Sequence, residues 1–208
     1  SGTLPLSAAL AQFFPTAYET PRVLFTFVDG RTGEQFSGWV ERSHRFVSGL
    51  KDWYKKNNVV VGATVNIRRG GAPGQVEIRA QVRRPISEWV RTATVNDKSG
   101  LSFSMKRQPI AVEYDEHMLT ITDNPAALDD LGSRLRERNT PLATLVVNLF
   151  RELAKLNPQS AVHARTLYSA VNLVVRCPPG PIFAELVTRS YFSHVGDYYY
   201  RFDESQGS

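Results

Sequence analysis

The chain has 208 residues, 42% hydrophobic and 11% aromatic, with 25 Lys/Arg against 20 Asp/Glu for a net charge of +5. That is enough for one large domain or two small ones, each with its own core. A single cysteine excludes a disulfide framework and a cysteine-based zinc site, and no apolar run is long enough for a membrane-spanning helix.

Leu4 to Phe14 carries Leu6, Leu10, Phe13 and Phe14 at helical spacing and stops at Pro15. Ser1 to Leu10 lacks the basic start of a secretory leader. Tyr18 to Arg22 reads as a linker. Arg22 to Val28 and Gln35 to Val40 read as strands, joined by a turn holding Asp29-Gly30 and Gly33. A polar loop follows, Glu41 to Arg45. The spacing of Leu50, Trp53 and Tyr54 predicts a short amphipathic helix from Val47 to Lys56. Asn57-Asn58 stops it, and Val59 to Ile67 returns as a strand. Gly70 to Gly74 is a hairpin turn. A strand follows it, Gln75 to Val82, so it is not a phosphate-cradling loop, which needs a helix there. Arg83-Arg84-Pro85 interrupts the sheet. Trp89 to Val95, Leu101 to Lys106 and Ile110 to Tyr114 are further strands, with a turn at Asp97 to Gly100, and Met118 to Thr122 adds another.

Charge is unevenly spread along this half. Residues 42–107 hold 14 Lys/Arg against 4 Asp/Glu, a balance of +10, while residues 108–133 hold 6 acids and no base. A block of that sign attracts a polyanion and makes binding depend on salt.

The order of these features resembles the B-three DNA-binding domain of plant transcription factors and the effector domain of some bacterial restriction enzymes. The places that carry the likeness are Leu4-Pro5, Ala11 to Pro15, Asp29-Gly30, Trp39, Arg42 to Arg45, Phe46 to Tyr54 and Gly62 to Ile67. The family has an acid where Ala63 stands. The resemblance implies a pseudobarrel, an open β-barrel with short helices, that grips double-stranded DNA. It makes the loop after the Trp-bearing strand an arm entering the major groove. Arg42, Ser43, His44 and Arg45 would then meet bases. Lys51, Lys55, Lys56, Arg68, Arg69, Arg83 and Arg84 would meet phosphates. No cofactor is called for.

Past Asn124-Pro125 the composition changes. Ala127, Leu128, Leu131 and Leu135 predict a linking helix, acidic early and basic late. Thr140-Pro141 starts another helix, whose apolar stripe runs from Leu142 to Leu153. A third spans His163 to Val175 and a fourth Ile182 to Thr188. Between them, Cys177-Pro178-Pro179-Gly180-Pro181 is a rigid turn. Nothing beside the thiol would activate it, and it suits a reducing compartment, cytoplasm or nucleus. Phe192 to Val195 and Tyr198 to Phe202 form a hairpin. This half is similar to the winged helix-turn-helix modules of chromatin regulators and restriction-type nucleases. Its last helix has only Glu185, Thr188 and Arg189 as polar residues, which is poor equipment for binding phosphate and suits a protein partner instead.

The expected protein is therefore α+β. A pseudobarrel spans residues 1–123, a linker helix 124–139 and a winged helix 140–208. The expected function is sequence-specific DNA binding, in a transcription regulator or the recognition part of a defence system. Two alternatives stay open: a metal-dependent nuclease built on Glu113, Asp115, Glu116 and His117, and a protein-interaction adaptor.

Overall fold

The computed structural model describes residues 2–15, 20–96 and 100–205. The architecture is mixed α+β, in two compact units. The first comprises Ser1–Pro85 with Ala111–Glu113, and the second Ile86–Ile110 with Tyr114–Ser208.

The first unit is a curled six-stranded half-barrel in the order β1-β4-β3-β2-β6-β5. Its strands are β1 (Leu4–Pro5), β2 (Arg22–Asp29), β3 (Gln35–Glu41), β4 (Phe46–Ser48), β5 (Val65–Arg69) and β6 (Gln75–Ala80). All neighbours are antiparallel except β2 and β6, which run parallel. Alternation fixes the faces. Phe25 and Phe27 of β2, Val40 of β3, Val47 of β4 and Val76 and Ile78 of β6 point inward, with Trp53 from the helix α2 (Lys51–Lys56) and Leu50 just before it.

Three expectations need correction. The N-terminal helix is one turn, α1 (Ala8–Ala11), after a two-residue strand. Phe46–Ser48 is strand β4 rather than the start of a helix, because it pairs with both β3 and β1. Its apolar spacing serves either period, and the neighbouring strands decide. Residues 59–64 lie outside any strand, and the return strand β5 starts at Val65.

Asp29 locks helix to sheet. It is 2% exposed. One carboxylate oxygen accepts the Trp53 indole N–H at 2.8 Å and the Asn57 amide at 3.2 Å. The other accepts the backbone N–H of Arg31 at 2.8 Å and of Thr32 at 3.3 Å. Burial works to raise this carboxyl, but the four donors together outweigh it and hold the group below its usual value. Gly38 permits close packing above: a Cβ there would stand 2.4 Å from the Phe27 ring.

The strands β7 (Val82–Asn96) and β8 (Gly100–Val112) are long, and β7 is flanked by β8 and β9 (Thr120–Thr122). Pro85 does not interrupt β7, and Pro109 lies within β8. The expected turn at Asp97 to Gly100 falls mostly outside the described residues, as do Tyr18 and Glu19 of the linker before Arg22.

In the second unit, Ala93, Leu101 and four helices share one core. The helices are α3 (Pro125–Glu137), α4 (Leu142–Ala154), α5 (Ala164–Val174) and α6 (Pro179–Thr188). A three-stranded sheet closes it in the order β10-β12-β11, from β10 (Ala161–His163), β11 (Phe192–Gly196) and β12 (Tyr199–Phe202). The expected linker, residues 124–139, is thus mostly helix α3, whose Leu128 and Leu131 belong to this core. Asn124 caps α3 by accepting the Ala127 N–H, and Pro125 opens it. Each fully buried Leu or Phe of such a helix is worth roughly 1.5–3 kcal/mol relative to exposure, so the five buried residues of α4 hold that helix in its unit.

Candidate nucleic-acid interface

The loop of residues 42–45 is the tip of the β3–β4 hairpin. Glu41 faces Phe46 across its base. Ser43, His44 and Arg45 are exposed and Arg42 half-buried. Four short contacts fix the tip. Arg45 adopts a left-handed conformation with φ 54°, and its N–H reaches the Arg42 carbonyl at 3.3 Å. Leu6 N–H donates to the Arg45 carbonyl at 2.8 Å. Ser43 Oγ and His44 Nδ1 lie 3.0 Å apart. Below the tip, Arg22 pairs with the buried Glu41 at 2.7 Å.

The register divides the other predicted cations between two ends of the half-barrel. β2 begins at Arg22, beside the tip, and ends at Asp29. Gln75, which follows the 70–74 turn, lies level with Thr26. That turn, with Arg68 and Arg69 leading into it, is therefore at the same end as the tip. The two hairpins are three strand spacings apart, about 14 Å along the sheet. The 42–45 tip starts about four residues, or roughly 13 Å, further out. Lys55 and Lys56 lie on α2 at the opposite end, where Lys56 pairs with Glu34. Lys51 opens that helix, close to Gly2. Arg83 and Arg84 follow β6, which runs past Asp29, so they too lie beyond the far end. Lys51 aside, the predicted residues thus form one near group, Arg42 to Arg45 with Arg68 and Arg69, and one far group, Lys55, Lys56, Arg83 and Arg84.

Two features of the outer face go beyond the predicted contact residues. Leu24 and Trp39 are cross-strand neighbours on it, 52% and 44% exposed, just below the tip. Strand alternation alone assigns Trp39 to the side opposite Val40 and could have found it. Further along, an open cleft of about 320 Å³ is lined by Asn66, Arg68, Glu77, Arg79, Gln81 and Glu113, among others.

No protein-family model, curated protein or solved structure matches the chain.

The acidic edge is differently employed. Asp115 Oδ2 accepts Arg165 at 2.7 Å, and Oδ1 accepts the N–H groups of His117 and Met118. Burial opposes ionisation of this carboxyl, yet these donors hold it below the usual carboxylate range. Among the described residues no three His, Cys, Asp or Glu side chains converge as metal ligands. Burial pushes the Cys177 thiol up, away from thiolate reactivity. On α6 the outward residues include Phe183, Ala184, Val187 and Thr188, while Arg189 is paired with Glu185 at 2.9 Å.

Proposed function

We propose that the first unit is a DNA-binding pseudobarrel that reads double-stranded DNA from its near end. The observation that carries this reading is the 42–45 tip: four hydrogen-bonding side chains, two of them arginines, on a hairpin turn that starts about four residues further out than the 70–74 turn. The major groove is about 12 Å wide and admits a two-stranded ribbon. In this reading Arg42 and Arg45 fork to guanine edges, with Ser43 and His44 beside them. Arg68 and Arg69, on the shorter hairpin some 14 Å away, contact the flanking phosphates. The far cations, Lys55, Lys56, Arg83 and Arg84, touch no base and contribute to the long-range field that draws in a polyanion.

The second unit supports a winged-helix reading. From α4 to β12 its elements run helix, strand, helix, helix, strand, strand, with the last strand between the other two. Its last helix, α6, with Arg189 at its end, carries one mutually paired acid and base and otherwise apolar or uncharged outward residues. That surface favours a protein partner over phosphate. The chain would then be a transcription regulator, or a recognition component whose catalytic partner is another protein.

A binding titration of the whole chain on a random duplex across a salt series tests the first claim. Log affinity should fall linearly with log salt, with a slope of about −0.9 per phosphate neutralised. Salt-independent affinity, or none at low salt, contradicts it.

A further inference from the structure

The second unit contains a pair of histidines that DNA binding leaves unused. The His117 and His163 rings lie face to face, centroids 3.8 Å apart and planes 9° from parallel. Tyr199 meets both rings edge-on, and Tyr198 meets His163. The pair joins segments distant in the chain. His117 lies in the turn ahead of β9. His163 ends β10 and caps α5, its Nδ1 accepting the Arg165 N–H at 3.1 Å.

The same turn is held to α5 by two more bonds. Thr166 Oγ1 donates to the His117 carbonyl at 2.7 Å, and Ser169 Oγ to the Met118 carbonyl at 2.8 Å. From β7, Arg91 donates to the carbonyls of Glu116 and His117.

This surrounding is hostile to a proton. Capping requires a lone pair on Nδ1, which a charged imidazole lacks. The positive end of the α5 dipole lies at the same ring. Arg91 and Arg165 add charge of the same sign, and a second imidazolium at 3.8 Å would add more. Asp115 acts the other way, but its carboxylate is already bound to Arg165 and two backbone N–H groups. Glu116 reaches only His117, at 3.8 Å, from an exposed position.

We propose that the stacked His117–His163 pair is an acid-sensitive latch, which holds the 115–120 segment on the start of α5 at neutral pH and releases it on protonation. Burial, followed by the charge of His117 and Arg165, holds His163 below its ordinary value. The open form has an ordinary histidine near 6.5. The latch is therefore fully closed above that pH. As pH falls below about 6.5 the open form gains a proton that the closed form refuses, and opening becomes about tenfold easier per pH unit until the closed-state value is passed. Carboxylates enter only below about pH 4.5.

Hydrogen exchange of the full chain, corrected for intrinsic rate, tests this. Protection at residues 117–120 and 164–168 should fall by up to about fivefold between pH 6.5 and 5.5, while residues 24–28 keep theirs. His163→Asn retains a capping oxygen and cannot titrate, so its ratio between the two pH values should approach one. That ratio decides even if the variant is looser at both. Equal wild-type protection at the two pH values, or an undiminished ratio in His163→Asn, overturns the latch.

Discussion

Asp29 is the residue on which the first unit turns. Its carboxylate takes four donors, two from the turn after β2 and two from α2 or its end. An amide cannot do the same, because in either orientation its NH2 would face one of the two donor pairs. Asp29→Asn should cost about 2 kcal/mol, the usual scale for hydrogen bonds to a buried charge. The pH dependence follows from the lowered carboxyl. Its contribution is fully present above the unfolded value, near 3.9, and is lost as pH falls through the folded value. Chemical denaturation of both proteins at pH 7 and pH 3 should therefore show the gap narrowing in acid. Asp29-Gly30 was legible in the sequence as a turn. The bond from Asp29 to Trp53, 24 residues away, was not, because local pattern carries no information about which distant donor a buried acid meets.

At the scale of elements, α3 and α5 approach closely at Gly132. A Cβ there would stand 2.5 Å from the Val174 carbonyl oxygen. Alanine gains about 1 kcal/mol of helix propensity over glycine, but forcing the helices apart costs typically 1–3 kcal/mol. Gly132→Ala should thus lower the stability of the second unit on balance, and a thermal melt that rises instead would contradict the packing. The helices α4 and α5 were legible because their apolar stripes are long and strictly periodic. β4 was not, since three residues suit either period and only pairing to β1 and β3 settles them. Pro85 misled for a related reason: it marks an interruption locally, and the long strand β7 continues through it.

For the whole molecule, the charge block between residues 42 and 107 was plain in the sequence, but its division between two ends was not. Only the strand register separates Arg68 and Arg69 from Lys55, Lys56, Arg83 and Arg84. That division makes a prediction. Changing Arg68 and Arg69 to Ala should reduce the salt slope of DNA binding by roughly 0.9 each with base preference unchanged. Changing Lys55 and Lys56 should leave the slope nearly as it was. Salt titrations of the two double variants compare these directly.

The central claim concerns the hairpin tip, and selection from a random duplex pool addresses it most directly. The wild-type chain should enrich a defined site containing guanine. Arg42→Ala with Arg45→Ala should flatten that preference, at about 1–3 kcal/mol per lost bidentate contact, while affinity for unselected duplex falls far less. An identical enriched site from both proteins would contradict the account.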